Sequence, residues 1–138
     1  RHKRDNPMTI TTTVLLQSAL REIGALGVTD TLADANVAAE CLSRLNGFLN
    51  GLNAKGAVFP NVALAIGDTL PISDEHEDDL RLAMAFRLCP LFGKTPEGMA
   101  LAQMMKAERR FVAAHTTVSP VPVDAALLNM ASQRRMYR

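Results

Sequence analysis

The side chains able to do chemistry in this chain are three histidines, two cysteines, a dense run of carboxylates and one Gly-Lys-Thr triplet. A zinc site needs His and Cys ligands at short, regular spacing. His2, His76 and His115 are far apart and have unrelated neighbours, so no ligand set is expected. His76 does fall inside the acidic run Asp74-Glu75-His76-Glu77-Asp78-Asp79. Carboxylates that follow Ser73, a good N-cap, are better explained as the first turns of a helix, where they meet the positive end of its dipole. The run also lacks the alternating ligands, central glycine and closing Glu of a calcium loop. Cys41 and Cys89 have no CxxC spacing and fall in apolar helical patterns, which points to two reduced, buried thiols in a reducing compartment. Gly93-Lys94-Thr95 matches the end of a phosphate-binding loop, but Leu88 stands where the first glycine of that motif belongs. Ser18, Ser43, Ser73, Ser119 and Ser132 have none of the glycine context of a strained nucleophile turn. The expectation is a protein without catalytic residues, cofactor or metal, and not an enzyme.

The elements that would position these groups read as helices. Leu15, Leu16, Ala19, Leu20 and Ile23 form one face of a helix over about 12–23, capped by Thr11 or Thr12 and closed by Gly24, with Leu26 or Val28 folding back. Ala38, Cys41, Leu45, Phe48 and Leu52 alternate by threes and fours in a second helix, which Val37, Leu42 and Leu49 widen and Gly56 ends. Thr31-Leu32-Ala33-Asp34 before it has capping-box spacing. Its polar face carries Glu40, Arg44, Asn46, Asn50 and Asn53, while Gly47 and Gly51 either admit a close backbone or fray the helix. Residues 57–73 contain two prolines, a Gly-Asp pair and β-branched side chains, which predicts an extended connector with a hairpin turn at Gly67-Asp68. So apolar a loop suggests burial against another subunit, with Phe59, Val62, Leu64 and Ile66 as interface candidates.

A third helix follows Ser73 and is apolar on two faces: Leu80, Ala83, Met84, Leu88 and Leu91 on one, Leu82, Phe86 and Cys89 on the other. Such a helix is buried on two sides, and Leu82 and Phe86 join the interface candidates. Pro90 bends or ends it, and Phe92-Gly93-Lys94 turns into a fourth helix opened by Thr95-Pro96-Glu97, with Thr95 as cap and Pro96 in the first position. Leu101, Met104, Met105, Phe111 and Val112 are its apolar stripe, ending near Ala114. Thereafter Val118, Pro120, Val121, Pro122 and Val123 describe an extended arm compatible with polyproline geometry. A short helix showing Leu127, Leu128 and Met130 follows, and then the basic end Arg134-Arg135-Met136-Tyr137-Arg138. The fold class expected is all-α: an antiparallel bundle of about four helices over 11–114, between a basic extension at 1–10 and a C-terminal arm at 115–138.

Composition agrees. Hydrophobic residues make up 48% of 138 residues, with no Trp, one Tyr and five Phe, so one aliphatic core of helices fits better than a β-sandwich. Formal net charge is +1, yet residues 11–114 hold nine basic against twelve acidic groups, leaving the basic surplus at the two ends. The basic start is followed by polar Met8-Thr9-Ile10-Thr11-Thr12-Thr13 rather than a long apolar run, so neither a secretory signal nor a membrane span is expected. Residues 1–7, before Met8, carry little weight in this assignment.

Two blocks carry a resemblance to a known family. Ala19-Leu20-Arg21-Glu22-Ile23-Gly24 is followed by Leu42-Ser43-Arg44-Leu45-Asn46-Gly47-Phe48-Leu49 and Lys55-Gly56. In this order they resemble the head-to-tail adaptors (tail accessory factors, or packaged-DNA stabilisation proteins) of podoviruses and related siphoviruses. That pattern has Trp where Leu52 stands and commonly Met where Phe48 stands. By motif the likeness covers residues 13–56, and by layout alone 57–114. It implies a helical body assembled as a ring, commonly of twelve copies, beneath the portal protein at the head–tail junction of a virion. There it retains packaged DNA and offers a platform to a downstream stopper, nozzle or other tail component. It also implies a C-terminal arm, here residues 116–138, that docks on the portal. DNA would pass the channel without sequence-specific contact, along a lumen for which Asp74, Glu75, Glu77, Asp78 and Asp79 are candidates.

Two other readings compete. One is a generic helical oligomerisation module with its apolar tail in a partner's groove. The other is a small DNA-binding regulator, against which stand the long 24–33 loop and the Asn- and Glu-bearing second helix.

Overall fold

The computed structural model describes residues 10–60 and 63–116. These residues are all-α, with four helices: α1 Thr12–Glu22, α2 Ala35–Ala54, α3 Glu77–Leu88 and α4 Gly98–His115. Single 3₁₀ turns, Asp74–His76 and Pro90–Phe92, flank α3.

Helix ends follow local chemistry. The Thr11 hydroxyl accepts from Val14 N at the start of α1. At its end Gly24 adopts φ +74°, and Ala25 N and Gly24 N donate to the Leu20 and Arg21 carbonyls. This is a Schellman closure, which places a left-handed residue just past the helix. Leu26 packs back on the core, whereas Val28 is 86% exposed. Helix α2 closes the same way: Gly56 lies at φ +106°, and Ala57 N reaches the Leu52 carbonyl.

Three expectations need correction. The cap of α2 is Asp34 itself, whose carboxylate accepts from Asn36 N and Val37 N; Thr31 lies too far upstream. Helix α4 starts at Gly98, not at Pro96, and Glu97 precedes it in extended geometry. Gly98 itself sits at φ +59°, a left-handed kink that delays the helical path until after Pro96-Glu97. The described part of the connector forms no hairpin with itself. It turns at 65–68 and pairs instead with the residues before α1, through Leu70 N to Ile10 O, Thr12 N to Asp68 O and one antiparallel bridge between Thr11 and Thr69.

The core joins all four helices and the connector. Leu15, Leu16, Ala19 and Leu20 of α1 meet Cys41, Leu45 and Leu49 of α2, Leu80, Met84 and Leu88 of α3, and Phe111 of α4. Burying such a leucine contributes about 1.5–3 kcal/mol relative to leaving it exposed. Helix α3 is the central element and packs most extensively on α4 and α1, as two apolar faces require. It runs antiparallel to α4: His76 meets His115 at one end, while Cys89 and Met104 share a cleft at the other.

Three side chains on α1 and α2 hold the connector in place. Asn46 Nδ2 donates to the Leu64 carbonyl (3.0 Å) and its Oδ1 accepts from Leu64 N (2.9 Å). Asn53 treats Phe59 identically, at 3.1 and 2.8 Å. The fully buried Thr12 hydroxyl donates to the Ala65 carbonyl and accepts from Gly67 N.

Candidate functional site

The connector residues taken from sequence as interface candidates separate into groups. Phe59 and Leu64 are buried in the chain's own core, held by the two asparagines, so their burial needs no second subunit. Leu82 and Phe86 are half-buried and pack against that core. Ile66 is 48% exposed on the connector turn, and Val62 lies outside the described residues. The arm residues Val118, Pro120, Val121, Pro122, Val123, Leu127, Leu128, Met130, Arg134, Arg135, Met136, Tyr137 and Arg138 also lie outside them. Helix α4 ends at His115, where Thr116 Oγ1 donates to the Val112 carbonyl.

The acidic start of α3 divides between tied and projecting carboxylates. Arg110 of α4 places Nε and Nη2 on one Asp79 oxygen at 3.1 and 2.9 Å. Arg81, one turn on, reaches Asp78 at 2.8 Å and Glu77 at 3.6 Å. Burial, and then a hydrogen bond with Asp78, push the Glu77 carboxyl above its ordinary pKa against the pull of Arg81. Glu75 and Asp78 remain 61% and 76% exposed, so they are the carboxylates that project outward.

The histidines are less scattered than the sequence suggests. His76 and His115 stand edge to face with ring centroids 4.6 Å apart. His115 also lies against Phe111 and Phe59, at 4.3 and 5.2 Å, and its Nδ1 is 2.9 Å from the Phe111 carbonyl. The aromatic column continues through Phe48 to Arg87, whose guanidinium lies 4.2 Å above the Phe48 ring. Burial lowers the His115 pKa, the Phe111 carbonyl opposes the shift, and His76 adds to it. Glu75 lies 3.4 Å from His76 Nε2. Among the described residues no three His, Cys, Asp or Glu side chains converge as a metal set.

Cys41 and Cys89 are free and buried, and desolvation raises both thiol pKa values. Cys89 Sγ donates to the Ala85 carbonyl. Gly93 ends a 3₁₀ turn at φ +65° and α4 begins only at Gly98, so Lys94-Thr95 do not open a helix as a phosphate loop requires.

Two surface depressions were not legible in the sequence. A cleft of about 400 Å³ at the C-terminal end of α3 is lined by Arg44, Arg87, Lys94 and Thr95 together with Phe86 and Cys89. A groove of about 210 Å³ between α2 and α4 is lined by Gly47, Phe48, Gly51, Leu52 and Lys55 together with Arg87, Glu108 and Val112. Each brings together residues from helices distant in sequence, and only the glycine pair four residues apart gave any signal. No helix among the described residues is long and apolar enough to cross a membrane. Comparisons with protein-family models, curated proteins and solved structures find no match to this chain.

Proposed function

We propose that this chain is a phage head-to-tail adaptor, a structural protein that forms a ring beneath the portal, retains packaged DNA and carries the next tail component. The observation that carries this reading is the ordered pair of blocks, 19–24 and 42–56, which resemble that family. Their residues also have structural roles: the Arg21 carbonyl accepts from Gly24 N and the Leu20 carbonyl from Ala25 N to close α1, and Asn46 holds Leu64. An all-α body whose polar clusters are mostly tied in ion pairs suits a scaffold. The arm 116–138 is the proposed grip on the portal, and twelve copies is the proposed ring. The native mass of the chain with and without its portal tests this: a multi-copy complex is expected, and a chain that neither assembles nor binds portal removes the reading. Deleting 116–138 is expected to abolish portal binding while circular dichroism stays helical; unchanged binding would sink the role of the arm.

A second reading, a helical partner-binding module outside a virion, draws support from the α2–α4 groove, where Gly47 and Gly51 face open space. Co-purification with a portal separates the two.

A further inference from the structure

Helix α3 carries opposite charge at its two ends. At the C-terminal end Arg44 of α2, Arg87 of α3 and Lys94 and Thr95 of the following loop line the cleft of about 400 Å³. Arg44 and Arg87 each have a carboxylate neighbour, Glu40 at 3.4 Å and Glu108 at 2.8 Å, but neither carboxylate lines the cleft. Phe86 and Cys89 supply apolar wall, which strengthens any ion pair formed there relative to one in open water. At the N-terminal end Glu75 and Asp78 are exposed, Glu75 lying 3.4 Å from His76 Nε2 and Asp78 2.8 Å from Arg81. The 12 residues of α3 separate the two ends by about 18 Å. That exceeds the screening length of roughly 8 Å at physiological salt. The two ends of one chain are therefore too far apart to pair with each other; Arg44 and Arg87 pair with Glu40 and Glu108, and Lys94 has no ion pair among the described residues.

We propose that this cleft receives the acidic turn of a second copy, with Glu75 and Asp78 of that copy entering beside Arg44 and Lys94, while the Arg87 guanidinium stays on Glu108 and the Phe48 ring. Two different surfaces meet at each contact, so association is head-to-tail and propagates until the rotation per copy closes a ring. The inference rests on the adaptor reading and names the surfaces through which copies join. Charge complementarity selects this occupant; like charges set against each other here cost binding and fix the register.

Charge reversal with rescue tests it. One variant carries Arg44→Glu and Lys94→Glu, the other Glu75→Lys and Asp78→Lys, and all four sites are polar surface positions. Self-association is followed by sedimentation across protein concentration at low and high salt, alone and on the portal, with circular dichroism confirming the helical fold. The wild type is expected to associate more weakly as salt rises, and each variant to lose more than about tenfold in association. Mixing the two variants, or combining all four reversals in one chain, is expected to restore it. Association insensitive to both reversals, or lost without rescue, overturns the docking while leaving the ring reading standing. A chain that stays monomeric even on the portal removes both. Binding of inorganic phosphate or DNA to the cleft without self-association assigns it another anion and overturns the proposal.

Discussion

The imidazole of His115 rests edge to face on that of His76, with ring centroids 4.6 Å apart, which ties the last turn of α4 to the turn before α3. The pair is faced by the Glu75 carboxylate beside His76 and by the neutral Phe111 carbonyl at His115 Nδ1. A second positive charge in so small a space is unfavourable.

This gives a pH dependence of definite sign. The folded-state pKa of His115 lies below its ordinary value. Between that lowered value and about 6.5 the unfolded chain therefore binds more protons than the folded one. Stability rises with pH across that window, is fully present above about 6.5, and is lost as pH falls through the folded pKa. Glu77, raised by burial, contributes the opposite slope near the carboxylate range. Urea unfolding of the wild type and of His115→Gln separates the two: the variant is expected to lose less stability on acidification. Equal losses in both would remove His115 as the sensor.

Asn46 and Asn53 lie seven residues apart, two turns of α2, and each forms a pair of hydrogen bonds with one connector residue. Asn46→Ala leaves the backbone N–H and carbonyl of buried Leu64 without partners, a cost of about 1–3 kcal/mol. Chemical denaturation is expected to show that loss. Asn50→Ala, on an exposed position of the same helix with no such bond, is the control expected to stay within about 0.5 kcal/mol.

Thr12 makes the corresponding contact at the other side of the connector. Thr12→Val keeps the shape but leaves Ala65 O and Gly67 N without their hydroxyl, whereas Thr12→Ser keeps both bonds. The valine variant is expected to be destabilised by about 1–3 kcal/mol and the serine variant by less. Thermal unfolding of the two checks the order.

These contacts explain what the sequence could reveal. Apolar periodicity found the helices, because each buried face repeats along a single helix and is local information: Leu15, Leu16, Ala19 and Leu20 are all buried as their spacing requires. Gly24 and Gly56 marked helix ends for the same local reason. The place of the connector is not legible in the sequence because its partners are remote: Phe59 is covered by Phe111 and His115, and Leu64 is held from Asn46. The Asn46–Asn53 spacing did carry a signal, one polar line on a face otherwise assigned to solvent. The His76–His115 contact and the Arg44–Arg87–Lys94 cleft carried none, since only the packing of α3 against its neighbours creates them.

Gly47 and Gly51 provide the last test. Both are exposed inside α2, line the α2–α4 groove, and have no atom beyond their own stretch of helix within 4 Å of where a Cβ would stand. In a chain that functions alone, glycine there only weakens the helix, by roughly 0.5–1 kcal/mol per residue relative to alanine. Gly47→Ala and Gly51→Ala are therefore expected to raise the thermal midpoint of the isolated protein. If the groove serves a close backbone approach by a partner, the same two methyl groups obstruct it, and partner binding falls while stability rises. Measuring both on one double variant distinguishes the cases. Higher stability with unchanged assembly assigns the glycines to no interface, and higher stability with weakened assembly assigns them to one.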